Sequence, residues 1–174
     1  MAEAVAARAP LSSSSPAPLA CSRSAHAPGA GHLLGLRVLP AQESPELAAP
    51  ALLAPAQALA ERWWVDSPVS HHQQGCLSYA ANGNWLYGTA CIDEQQEAGG
   101  IEGAARRLYT ELFELMRESG CEHAVRLWNY MARINEPENG LERYRHFNVG
   151  REQGSVSAAP SAFVGAAAGS ALGT

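Results

Sequence analysis

Residues 101–134 read IEGAARRLYTELFELMRESGCEHAVRLWNYMARI, and the stretch changes period in the middle. In its first half Ile101, Ala104, Ala105, Leu108, Leu112, Leu115 and Met116 recur at helical spacing. Glu102, Arg106, Glu111, Glu114 and Glu118 fall largely elsewhere on the helix. Gly120 stands where a glycine past the last turn ends a helix. The spacing predicts an amphipathic helix of about five turns. From His123 to Ile134 the pattern is that of a strand. Val125, Leu127, Asn129 and Met131 share one face, and Ala124, Arg126, Trp128 and Tyr130 the other. Neither face is purely polar, which predicts a sheet covered on both sides.

Upstream, two apolar runs, Cys76–Ala80 (CLSYA) and Trp85–Asp93 (WLYGTACID), are joined by Ala81-Asn82-Gly83-Asn84. Asn-Gly between such runs predicts a hairpin, because both residues tolerate positive φ. Glu61–Asp66 (ERWWVD) is another apolar run, and residues 31–40 (GHLLGLRVLP) read as a strand bounded by Gly and Pro. Pro45, Pro50 and Pro55 break any long helix in the Ala/Pro-rich connection 41–60. Residues 1–31 are almost entirely Ala, Ser, Pro and Gly and have little to bury, so the expectation there is a disordered tail. Downstream, residues 135–140 (NEPENG) form a loop, and a second helix is expected over 141–152. Asn139 and Glu142 have the N-x-x-E spacing of a capping box. Ala158–Gly165 (AAPSAFVG) is the next expected strand. The order predicts an α+β fold: a mixed sheet with both helices packed side by side on one face.

The net charge of −5 argues against nucleic acid, which would want a basic patch. All 12 basic residues are arginine, so Schiff-base and Walker-lysine chemistry have no residue to use. The four cysteines, Cys21, Cys76, Cys91 and Cys121, form no C-x-x-C pair; scattered thiols without a secretory leader predict a reduced, cytoplasmic protein. No segment approaches the roughly 20 apolar residues of a membrane helix. His71 and His72 are adjacent, so in a strand they point to opposite faces and do not chelate one metal together. No metal site is expected.

The stretch Val125–Arg151, VRLWNYMARINEPENGLERYRHFNVGR, is similar to the chorismatase family: a strand ending WNY, then IN, a short loop, and GLERYRxFxxGR. The run LYGTACID and the helix spacing also fit, so the resemblance spans roughly residues 32–170. It implies an N-terminal domain, residues 32–174, of the Rid (YjgF)-like kind, two of which are fused in the family. The implied activity is cleavage of chorismate, giving 3-hydroxybenzoate or a dihydroxycyclohexadiene carboxylate plus pyruvate, with no metal or organic cofactor. The family's catalytic glutamate lies in the C-terminal domain, which implies no catalytic residue in this chain. The chain ends in ALGT about where the first domain's last strand should begin, so a fragment lacking its catalytic half is expected, inactive alone.

Tyr144, Phe147, Asn148 and Arg151 stand at i, i+3, i+4 and i+7 of the second helix, hence on one face. From the residues alone, the better reading of Tyr144 is a core aromatic and of Arg151 a C-terminal charge favouring the helix dipole. Chorismate is a dicarboxylate, and guanidinium groups hold carboxylates bidentately. The resemblance implies substrate-binding positions at Tyr144 and Arg151, with Arg145 beside them. Arg143 is expected to reach solvent, and one of Arg143 and Arg145 to pair at the surface with Glu142 or Glu138. Arg126, Trp128 and Tyr130 share a strand face and read as a lined pocket or, by preference, as sheet packing. Two other functions compete: a stand-alone Rid-like enamine or imine deaminase, and a non-catalytic small-molecule-binding domain. The deaminases carry an arginine at the start of the strand after the last helix. Residues 159–164 (APSAFV) have none.

Overall fold

The computed structural model describes residues 2–7, 19–22, 31–39, 59–121, 123–158 and 168–173. Its centre is the helix α1, Gly100–Glu118, followed by the strand β8, His123–Met131. Burial follows the predicted stripe: Ile101, Ala105, Leu112, Leu115 and Met116 are buried, joined by Tyr109 and Phe113. Gly120 (φ +66) closes the helix: its N–H reaches the Arg117 carbonyl, and the Cys121 N–H reaches the Met116 carbonyl at 2.8 Å.

Among the described residues the main sheet has six strands in the order β11-β8-β1-β7-β6-β5. These are β1 (Ala2–Ala7), β5 (Ser70–Gln74), β6 (Leu77–Ala81), β7 (Trp85–Ala90), β8 and β11 (Ala168–Gly173). Every neighbour pair is antiparallel except β11 with β8, which makes the sheet mixed. A second sheet of three strands is ordered β2 (Ala20–Ser22), β4 (Leu59–Val65), β3 (His32–Leu39). The helix α2 runs Arg143–Ala158.

Strand alternation sorts the apolar side chains into two cores. Leu77, Leu86, Ala90, Leu127 and Met131 pack with α1 and with Phe147 and Ala158 of α2. Ala80, Tyr87 and Trp128 pack on the other side with Leu34 of β3 and Val65 of β4, and Trp63 meets Trp128 edge-on at 6.0 Å. The sheet is thus covered on both faces, and both helices lie on one of them. Trp128 and Tyr130 are packing residues, and the Arg126 guanidinium sits 5.5 Å from the Trp128 ring.

α2 owes its seat to small residues. Gly150, Gly154 and Ala158 are buried at four-residue intervals. A Cβ at 150 would clash with the Glu102 carbonyl oxygen and fall 2.9 Å from its carbon; one at 154 would fall 2.5 Å from the Arg106 carbonyl oxygen. The backbones of α1 and α2 therefore meet directly.

Several expectations need correction. Residues 2–7 are not a structureless tail. They form β1, between β7 and β8 in the middle of the sheet, and residues 20–22 form β2. Apart from Leu19 and Gly31, the rest of the expected tail lies outside the described residues. A strand after α2 is present as β11 at 168–173, while Ala158 ends α2; residues 159–165 of the expected strand lie outside the described residues. The capping box does not form. Glu138 pairs with Leu141, and Glu142 with Pro137, in a small hairpin of β9 (Pro137–Glu138) and β10 (Leu141–Glu142). Its turn is Asn139-Gly140, with φ +51 and +82. The first α2 amides bind backbone instead, Arg143 N–H to Glu136 O at 2.9 Å and Tyr144 N–H to Ile134 O at 3.0 Å. At the Asn82-Gly83 hairpin only Gly83 has positive φ, and the Asn82 side chain accepts from the Asn84 and Trp85 amides.

Candidate functional site

The approach of α2 to α1 sets the chemistry on that side of the molecule. Tyr109, on the buried stripe of α1, donates its hydroxyl to Asn129 Oδ1 of β8 at 3.2 Å. Both groups are polar in an apolar layer, and each satisfies the other. Phe147 packs edge-on against Tyr109 at 6.1 Å, and Tyr144 stacks on Phe147 at 6.5 Å. Burial pushes the Tyr109 phenol above its ordinary range. The Asn129 bond and the Arg151 guanidinium, which acts on the same hydroxyl, oppose the rise, and Tyr144 adds to it. The structure therefore gathers Tyr144 and Arg151 around the Tyr109 hydroxyl. Tyr144 is 37% exposed and Arg151 is exposed, so both residues keep access to solvent beside the buried Tyr109 and Phe147. Arg145 is apart from them: its side chain is 70% exposed and lies 4.0 Å from Glu142.

Arg143 is the main surprise. It was expected in solvent, yet its side chain is 2% exposed. It holds both carboxylate oxygens of Glu94 at 2.6 and 2.7 Å, a carboxylate oxygen of Glu138, and the Ala132 carbonyl at 3.2 Å. One guanidinium thus pins the 3₁₀ turn Glu94–Gln96, the β9–β10 hairpin and the end of β8 to the start of α2. His146 adds a second link, with Nε2 2.9 Å from the Glu138 carbonyl and Nδ1 3.5 Å from Glu102.

A cavity of about 280 Å³ opens beside this cluster, walled by Ile101, Ala105, Leu108, Met131, Phe147 and Asn129. Asp93 and Glu94 stand in its lining, and among the described residues no basic side chain does. A larger groove of about 620 Å³ adjoins it, sharing Ala90, Ile92 and Asp93, with Cys76, Cys91, Glu97 and Arg107 in its wall.

Sequence reasoning missed Tyr109 and Asn129. The signal was available: Tyr109 lies four residues after Ala105 on the buried stripe, and Asn129 stands among Leu127 and Met131. A buried hydroxyl and a buried amide on facing elements need partners.

Residues 61–174 match the family described as chorismatase FkbO/Hyg5-like, N-terminal. A 3-hydroxybenzoate synthase of Streptomyces hygroscopicus is 31% identical over 110 residues, covering 63% of this chain and 32% of the relative. A chorismatase of the same organism is 35% identical over 98 residues, covering 56% of this chain and 28% of the relative. The chain thus spans about a third of the length of these relatives. A chorismatase crystal structure superposes with a TM-score of 0.65 at 26% identity, over 92% of this chain and 52% of the other. The mixed α+β architecture and the sequence agree, and the chain belongs to the chorismatase family, matching its N-terminal domain.

Proposed function

We propose that this chain is the substrate-binding and supporting N-terminal domain of a chorismate-cleaving enzyme, with a Rid-like fold and a cytoplasmic setting. The observation that carries this reading is the pairing of Tyr144 and Arg151 on one exposed face of α2, braced by Tyr109. Arg151 takes a substrate carboxylate through two parallel N–H bonds, and Tyr144 packs its ring against the substrate ring while its hydroxyl offers a further bond. Arg145 has the peripheral role of attracting the dianion. Cleavage then needs a general acid to protonate the enol ether methylene, after which water or the ring hydroxyl captures the oxocarbenium and pyruvate leaves. A glutamate of a second domain supplies that proton; no metal or organic cofactor takes part. The second domain closes over the exposed face of α2, which removes water from the ion pair and strengthens it.

The test is pyruvate release from chorismate, followed with lactate dehydrogenase. The chain alone is expected to be inactive, and the chain joined to the C-terminal domain of a chorismatase relative to be active. Turnover by the chain alone would show that the active site has been misplaced, and an inactive but folded fusion would sink the proposal.

A further inference from the structure

The β5–β6 hairpin, with its turn at Gly75-Cys76, is tied to α1 through one carboxylate. Glu111 accepts the Cys76 amide at 2.6 Å, and its other oxygen takes Arg107 Nε at 2.9 Å. The Cys76 thiol also hydrogen-bonds Glu111, and burial with this acidic neighbour pushes that thiol up to about 12. The last pair of the β6–β7 ladder is Leu77 with Ala90. One step beyond it the two strands carry Cys76 and Cys91, and both line the 620 Å³ groove. Both are free thiols, Cys91 exposed and Cys76 partly buried.

We propose that Cys76 and Cys91 form an oxidisable pair, a modification site convertible to a cross-strand disulfide by a peroxide. Residues opposite each other on antiparallel strands have Cβ atoms about 4.5–5.5 Å apart. A disulfide wants about 3.5–4.5 Å. The shortfall is small, and both residues lie past the last ladder pair, outside β6 and β7. The roles follow from the surroundings. Cys91, in solvent, is the residue a peroxide reaches: its thiolate attacks one peroxide oxygen, giving a sulfenic acid and releasing hydroxide. Cys76 sulfur then attacks Cys91 sulfur and displaces the sulfenic oxygen as hydroxide. The Cys76 proton leaves with that hydroxide as water. Two thiols and one peroxide become one disulfide and two waters. The bond tethers the start of the segment 91–96, which carries Glu94, the partner of Arg143, and part of the cavity wall.

The experiment treats the full chain with hydrogen peroxide, blocks the remaining thiols with iodoacetamide, and reads intact and peptide masses. The expected result is the loss of two hydrogens within one molecule and a Cys76–Cys91 linked peptide. Cys91→Ser should abolish it, and Cys76→Ser should leave a sulfenic acid at Cys91 that dimedone traps. Glu111→Gln should speed closure while leaving formation of the sulfenic acid unchanged, because the acidic neighbour that helps hold the Cys76 thiol up is gone. Four free thiols after oxidation, a bond to Cys21 or Cys121, or dimers only would overturn the proposal.

Discussion

Replacing Gly150 by alanine separates two rules that point in opposite directions. On helix propensity alone the change should stabilise α2 by up to about 1 kcal/mol. The structure reverses the sign. The new methyl would clash with the Glu102 carbonyl oxygen and lie 2.9 Å from its carbon and 3.0 Å from the Ala105 Cβ. The first two are backbone atoms held by α1's own hydrogen bonds and cannot step aside as a flexible side chain would. α2 must therefore move outward, by about 1 Å to reach ordinary carbon–carbon contact at about 3.5–4.0 Å. A gap of that size forfeits a quarter to a half of the dispersion energy across the interface. Overpacking of this kind costs about 1–3 kcal/mol, and the bare backbone contact belongs at the upper end. After subtraction of the propensity gain, a net loss of about 1–2 kcal/mol remains. For a chain of this size that lowers the melting temperature by roughly 2–8 °C. The assay is thermal and urea unfolding followed by circular dichroism at 222 nm. Gly154→Ala should show the same sign, and Val156→Ala, on the exposed side of α2, should change little. A Gly150→Ala variant that melts higher than the parent would refute the close approach of the helices.

Arg143→Ala should destabilise the fold by about 2–4 kcal/mol, read as a shifted urea midpoint. Two carboxylates and a carbonyl lose their donor; the figure for a fully buried pair is about 3–5, reduced here because Glu94 and Glu138 keep solvent access. Glu111 gives a pH signature. Burial pushes its carboxyl up, but the Cys76 amide, Arg107 and the Cys76 thiol outweigh this and hold it below its ordinary 4.5. A depressed folded-state value means stability that is complete above about pH 4.5 and is lost as pH falls through the lower folded value. The fall in melting temperature on acidification should be shallower in Glu111→Gln than in the parent.

The parts of the fold legible in the sequence are those set by local pattern. The α1 stripe and the two-faced β8 need only residues within one element to declare themselves. What escaped was decided at long range or by competing signals. β1 is Ala-Glu-Ala-Val-Ala-Ala, a composition without strand preference; it becomes a strand because β7 and β8 offer hydrogen-bonding edges on both sides. At Asn139-Gly140 the capping spacing and the turn dipeptide competed, and the turn won because both residues adopt positive φ. Arg143, Arg145 and Arg151 look alike in sequence. Glu94, 49 residues from Arg143, decides that the first is buried. The site was half legible: helical spacing placed Tyr144 and Arg151 on one face, while Tyr109 and Asn129, contributed by other elements, did not stand out from the core around them.

The central claim is that Arg151 receives the substrate. The most direct measurement is kcat/KM for pyruvate release from chorismate by the chain joined to a chorismatase C-terminal domain, in parent, Arg151→Ala, Arg151→Lys and Arg145→Ala forms, each confirmed folded by circular dichroism. Truncating one partner of a desolvated charge pair costs about 2–5 kcal/mol, and about 1.4 kcal/mol is one decade. Arg151→Ala should therefore lose at least about tenfold, and lysine should restore little because it lacks the planar fork. Arg145→Ala, at a solvated position, should lose less than about fivefold, the equivalent of ~1 kcal/mol. Equal losses at 145 and 151, or an Arg151→Ala enzyme as active as the parent, would contradict the account.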